Sequence, residues 1–373
     1  MEKSWRSGLL ALSFLPCLCA AALNDTGQAR CYGNDGRMLA CDDPMVTLAG
    51  QDGVYGRDAA RNRDALHRHG GGEAGFDFVA LDFRGAPVPL DDQGKPTEAH
   101  RCVRDQVTGL LWLLASPDSA DMDEEEAAEA VRAAQGSGPC GVSDWRLPSL
   151  PDLLSVSDLG NAVAGIDTSF FIDARRGWFR SADRLPGSSV LVRVFGYQGR
   201  SMDQSAKSFA LPASNRMLLR LVSGSNAAPA LRASRYGTVV DHENGLEWDA
   251  CIHGRHGAGC RFGRSLHLDW PAAFSAVAHA NARAYKGHRD WRLPNLKELY
   301  AIVDQSRLRP AIDEALFPYT EPDWYWSSSS RAAYLGGAHT VDFNVGQVRY
   351  DNKPESHFLR LVRSYRVSRE KSP

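Results

Sequence analysis

The chain carries almost no excess charge. Its 43 basic and 45 acidic side chains leave a formal net charge of −2 over 373 residues, so no global basic field marks it for nucleic acid. It contains no HExxH pair, no GxSxG turn and no glycine-rich phosphate loop. These absences remove the sequence marks of a zinc protease, a serine hydrolase and a P-loop nucleotide enzyme. Beyond residue 22 there is no long hydrophobic run, so no membrane span is expected there. Hydrophobic content of 43% nevertheless excludes wholesale disorder, and the length suits about two to three domains.

The first 22 residues read as an export signal. Lys3 and Arg6 give a positive start, residues 8–19 an apolar stretch, and residues 20–22 a small-residue cleavage zone. The apolar stretch is shorter than the roughly 20 residues of a membrane span. Neither Cys17 nor Cys19 follows the small residues of a lipoprotein anchor. The expected mature chain is therefore exported, to the periplasm or to the extracellular surface. Eight cysteines fall to six after cleavage, an even number that suits disulfides in an oxidising compartment. Proximity pairs Cys31 with Cys41, Cys102 with Cys140, and Cys251 with Cys260.

What the chain does have is a repeat. DWRLP stands at residues 144–148 and again at 290–294, an offset of 146. Upstream, DQVTGLLW (105–112) matches DHENGLEW (241–248) at an offset of 136, so ten extra residues lie in the second copy, largely in DACIHGRHGAGC. Downstream, GIDTSFF faces AIDEALF, WFRS faces WYWS, and LRLV closes both copies. Between the anchors each copy has an alanine-rich, helix-like stretch with acid near its start, MDEEEAAEAVRAAQ and DWPAAFSAVAHANA. A second short helix follows DWRLP, and Gly-punctuated strands follow that. The expected fold class is α+β, used twice.

The motif has a structural explanation. Pro148 and Pro294 hold the preceding leucine extended, and the Ser or Asn after them caps a helix. Trp145 and Leu147, or Trp291 and Leu293, point the same way and bury together. Arg146 and Arg292 are expected on backbone carbonyls or on a carboxylate such as Asp144 or Asp290. Trp112 and Trp248 are expected at equivalent buried positions. The divisions that follow are a signal peptide at 1–22, an extension at 23–101, a first copy at 102–223, a linker at 224–234 and a second copy at 235–363. The extension, with a disulfide-closed hairpin at 31–41, is expected to pack on the first copy.

The motif order TGLLW or NGLEW, helix, DWRLP, WxxS and LRLV resembles the Legionella collagen-like protein C-terminal (Lcl C-terminal) domain family, over both copies. WRLP is also similar to the formylglycine-generating, sulfatase-modifying family. The resemblance implies a C-type-lectin-like fold, in tandem, and a role in surface adhesion to glycans, chiefly sulfated ones. It implies glycans or a cell-surface protein as partners and no catalysis. An envelope structural or accessory role without glycan affinity is the alternative, and a degenerate metal-dependent oxidase is the third. The oxidase chemistry needs reactive cysteines, whereas each cysteine here has a near partner.

Two metal readings arise. Cys251, His253, His256 and Cys260 offer the ligand types of a zinc knot, although an oxidising compartment and the resemblance both favour a disulfide. Glu321, Asp323, Asp342 and Asn344 are similar to the calcium-dependent sugar site of C-type lectins, so calcium is the one cofactor entertained. Trp324, Tyr325 and Trp326 beside them offer two readings, core packing or an aromatic platform that turns one ring to the core and the others to a sugar face. Because the first copy has ARRG where the second has EPD, ligand binding is expected in the second copy.

Overall fold

The computed structural model describes residues 23–33, 37–55, 76–115, 120–197, 206–225, 229–332, 334 and 336–365. The expected signal peptide and the His67-Arg68-His69 stretch lie outside them. Among the described residues no helix is long and apolar enough to cross a membrane.

The duplication is architectural. In the first copy Phe78–Leu81, Cys102–Asp105, Leu111–Leu113 and Leu221–Ser223 form one antiparallel sheet in that order. In the second, Leu231–Ala233, Thr238–Asp241, Leu246–Asp249 and Val362–Ser364 do the same. Before the last strand each copy inserts a long helix, a short helix and a three-stranded sheet. In the first these are Glu124–Ser137, Leu150–Ser155 and the strands Phe179–Arg184, Leu191–Gly196 and Lys207–Pro212. In the second they are Trp270–Ala282, Leu296–Ala301 and Trp324–Ser330, Gly337–Asp342 and Gln347–Asn352. Single bridges recur too: Arg146 with Val222, and Arg292 with Val362. The sheets' outer strands come from residues read as extension and as linker, because an edge strand needs one partner and tolerates a weak sequence signal.

Both DWRLP segments act as helix entrances. Ser149 and Asn295 cap the short helices, with Asp152 and Glu298 completing capping boxes. Arg292 grips Glu298 with two bonds of 2.6 and 2.7 Å, and Arg146 meets Asp152 at 2.7 Å and the Gly224 carbonyl at 2.8 Å. The arginines thus hold the third helical residue, not Asp144 or Asp290. Those aspartates accept from Ser223 and Arg363 instead. Pro148 and Pro294 offer their carbonyls to Ala182 and Ser328 of the three-stranded sheets. Trp112, Trp145, Trp248 and Trp291 are all buried.

Equivalent elements face each other where the copies meet. The amide of Val348 donates to Ser208 Oγ at 3.0 Å, and these two hold corresponding positions in the third strands. Arg193 reaches across to the Gly346 carbonyl at 3.0 Å. One hydrophobic core then runs through both copies, from Leu150, Leu153 and Leu154 to Leu296, Leu299 and Tyr300. The arrangement is that of a two-fold dimer joined into one chain.

The extension divides: residues 76–101 pack on the first copy as expected, through the strand Phe78–Leu81, whereas residues 23–55 fasten the junction and lie largely against the second copy. Asp52 accepts from Thr26 and from Ser329, and Gln28 exchanges hydrogen bonds with Ser330. Lys353 sits between the rings of Tyr32, at 4.3 Å, and Trp270, at 4.2 Å. From residues 23–55 the first copy receives fewer ties, Asn24 to Asp105 at 2.6 Å and Leu159 N to the Thr26 carbonyl at 2.6 Å. At the centre Lys297 of the second copy donates to Asp25 O of the extension at 2.5 Å and to Ser155 O of the first copy at 2.8 Å. Burial depresses its ammonium to about 7, and burial together with Asp25 raises Asp52 to about 7.

All three disulfides join the pairs that proximity suggested, with Cα separations of 4.8, 6.5 and 5.4 Å.

Candidate functional site

Each copy has a groove in the same place, between its long helix and the last strands of its four-stranded sheet. The cause is the helix sequence. In the second copy Trp270, Ala273, Phe274 and Val277 bury inward, so Ala276, His279 and Arg283 border the groove along one flank. Asp269 caps this helix through Ala272 N at 2.8 Å. In the first copy the corresponding flank is Ala130, Ala133 and Ser137. Small residues on one wall leave a cavity of about 520 Å³ in the second copy and about 420 Å³ in the first.

The opposite walls differ because of the ten extra residues. In the second copy the chain from Cys251 to Cys260 closes on its disulfide and folds back as a two-stranded ribbon, pairing Arg255 with Gly263 and His256 with Phe262. The ribbon is tight enough to require glycine at 254, where φ is +93° and an added Cβ would stand 2.3 Å from the Arg264 carbonyl oxygen. This ribbon carries His253, Arg255 and His256 to the groove, facing His279 and Arg283. From Cys251 to Leu268 there is no acidic residue. The groove's one carboxylate, Asp249, is met by Lys286 at 2.6 Å. Burial holds the His253 imidazole below its ordinary value, with Asp249 opposing. The net field of the groove is positive. Two exposed aromatics adjoin groove residues: Phe262, 62% exposed and paired with His256 on the ribbon, and Tyr319, 48% exposed with the Arg255 guanidinium 4.8 Å from its ring.

The expected site residues fall into three groups. Tyr325 and Trp326 are wholly buried: the Tyr325 hydroxyl donates to Glu321 O and accepts from Glu321 N, while Trp326 Nε1 donates to the Leu268 carbonyl. Trp324 is half-buried, with the Arg349 guanidinium 3.7 Å from its ring. The aromatic platform is therefore absent at 324–326. A strand covered on both faces buries its residues in both phases, and three successive aromatics signal that as well as they signal exposure.

The carboxylates also turn to separate tasks. Glu321 accepts from Ser265 Oγ at 2.8 Å and lies 3.5 Å from Arg255, bracing the base of the ribbon. Asp323 caps Trp324 N, and Asp342 is buried and accepts Asn344 N at 2.7 Å. Phe343 N, beside them, donates to Asp323 O at 2.9 Å, so Asp323, Asp342 and Asn344 are neighbours. Glu321, Asp323 and Asp342 do not form a convergent set of ligand atoms. Among the described residues such a set occurs only at Asp351, Glu355 and His357. There Asp351 Oδ2 already accepts from Arg349 at 2.9 Å and Thr340 at 3.1 Å. The zinc-knot alternative fails because Cys251 and Cys260 are bonded to each other, leaving His253 and His256 as groove side chains.

Sequence reasoning missed His279, Arg283, Phe262 and Tyr319. The available signal was the acid-free insertion, which marks a basic patch once a second basic flank is known to face it.

Among known families, the Lcl C-terminal domain model matches the chain twice, over residues 101–223 and 237–363. No curated protein matches it.

Proposed function

The chain belongs to the Lcl C-terminal domain family, in two tandem copies, and on that premise we propose that it is an exported, non-catalytic binding protein that recognises anionic glycans through its second copy. The proposal includes a C-type-lectin-like ancestry for both copies and a periplasmic or cell-surface location. The basic groove between the ribbon at 251–263 and the helix Trp270–Ala282 carries the reading. It combines a concave site, cationic groups on two facing walls and exposed rings at its edge, which are the components of an acidic-sugar site. The ligand's sulfates or carboxylates would meet Arg283, Arg255 and His256, and its apolar sugar faces would lie on Phe262 or Tyr319. Glu321 acts indirectly, by fixing Arg255 and Ser265.

The test is a glycan array with the full mature protein, followed by titration of the best anionic hit. Arg283→Ala combined with His279→Ala should weaken binding by about tenfold or more, and raised salt should weaken the parent in the same direction. Both positions are exposed, so folding should be kept. Retention of no glycan, or full affinity in the double variant, would overturn the assignment. The first of these outcomes would favour an envelope structural or accessory role.

A further inference from the structure

We infer that the groove of the first copy is a second binding site of a different class, taking a single-chain amphiphile with an anionic head group. Its cavity of about 420 Å³ lies within the roughly 300–1,000 Å³ range of small-molecule sites. The walls are apolar: Leu113, Leu219 and Leu221 from the sheet face Met122, Ala130 and Ala133 from the helix side. The alanines make the space, because the equivalent of Ala133 in the second copy is His279. Among the described residues no acidic side chain lines the cavity, whereas Arg101, Arg175 and Arg220 do.

The arginines are not equivalent. Arg220 is fully buried, bonded to Asp173 at 2.6 Å and set among Phe171, Phe179 and Tyr197, so its charge is already matched. Arg101 precedes the strand Cys102–Asp105, is half-buried and makes no ion pair among the described residues. It is held in a rigid corner, because Cys102 is bonded to Cys140 and the Cys140 amide donates to the Phe83 carbonyl at 2.7 Å. Cations in the wall of a largely apolar cavity, Arg101 foremost, select a ligand with an alkyl body and a carboxylate, sulfate or phosphate end. A polysaccharide does not fit this description, since among the described residues the lining offers one hydroxyl, that of Ser137, to satisfy its many polar groups.

The full mature protein is titrated calorimetrically with decanoate below its micelle threshold, and with 1-decanol as the uncharged control. Saturable binding of decanoate is expected, about tenfold tighter than decanol. Ala133→Trp, at an exposed position on the helix, fills the cavity and should abolish it, while His279→Trp at the matching place in the second copy should leave it intact. Arg101→Gln should bring decanoate down to the affinity of decanol. Absence of saturable binding overturns the inference, as does loss in the second-copy variant alone, or a decanoate preference that survives Arg101→Gln. None of these outcomes bears on glycan retention by the second copy.

Discussion

The two copies share every element of their framework and differ in what their grooves hold. Where the first copy runs directly from Trp112 towards its long helix, the second inserts a disulfide-closed ribbon rich in arginine and histidine. The first groove sets Arg101, Arg175 and Arg220 among leucine and alanine and, among the described residues, holds no histidine, whereas the second adds His253, His256 and His279 to Arg255 and Arg283 on facing walls. Duplication has kept the parts that set backbone geometry, namely the motif arginine, the capping box and the buried tryptophans. The groove walls have been free to diverge, because surface side chains contribute little to stability.

The sharpest way to break the comparison is at the motif arginines. Arg292 and Glu298 are both nearly buried, with side-chain exposures of 4% and 10%, whereas Arg146 is 36% exposed. Both substitutions strand a buried carboxylate, since Asp152 is only 1% exposed, but solvent reaches the Arg146 end; Arg292→Gln should cost about 3–5 kcal/mol and Arg146→Gln about 2 kcal/mol. Equal losses in urea melts would show that the two motifs carry the same load.

Disulfides come next. The Cys102–Cys140 link spans 38 residues and Cys251–Cys260 spans 9. Chain entropy assigns them about 4 and about 3 kcal/mol. Replacing the first pair with serine should therefore lower the Tm more, while replacing the second should do more damage to glycan retention, since it frees the ribbon. If one pair dominates both readouts, the separation of stability from binding is lost.

A smaller effect is expected at the paired tryptophans. Trp291 Nε1 donates to Tyr285 O at 2.8 Å, while the buried Trp145 Nε1 has no acceptor among the described residues. Trp291→Phe should be worse than Trp145→Phe by about 1 kcal/mol.

Last is pH. Where the first copy has Pro151, the second has Lys297, pushed down to about 7 by burial. Between that value and the unfolded lysine's 10.5 the native group is neutral and the unfolded one charged, so unfolding takes up a proton. Its contribution is least favourable below 7 and improves as pH rises through the window, by at most about 1.4 kcal/mol per pH unit. Lys297→Met should flatten the parent's pH dependence between pH 7.5 and 9.5; an unchanged slope would mean the lysine is charged in place.

Much of this framework was legible in the residues. DWRLP followed by Ser or Asn announced a helix entrance, and the N-cap and capping-box bonds are there. Six cysteines close in sequence announced three links. The site was less legible. Trp324-Tyr325-Trp326 beside Glu321 and Asp323 has the composition of a sugar site, yet its strand lies between two hydrophobic clusters and the acids serve as local braces. Nothing in residues 23–55 indicated that they would tie to the second copy, since hydrogen bonds such as Gln28 to Ser330 join positions 302 apart.

By itself the sequence determined the duplication, the α+β elements, their caps and the disulfide pairs, because each rests on local backbone preference or on short loop closure. Only the tertiary structure decided which aromatics were buried, which basic residues faced one another and where the extension lay. Those outcomes depend on which surfaces meet across the fold, and burial is a property of the assembled neighbours, not of the residue.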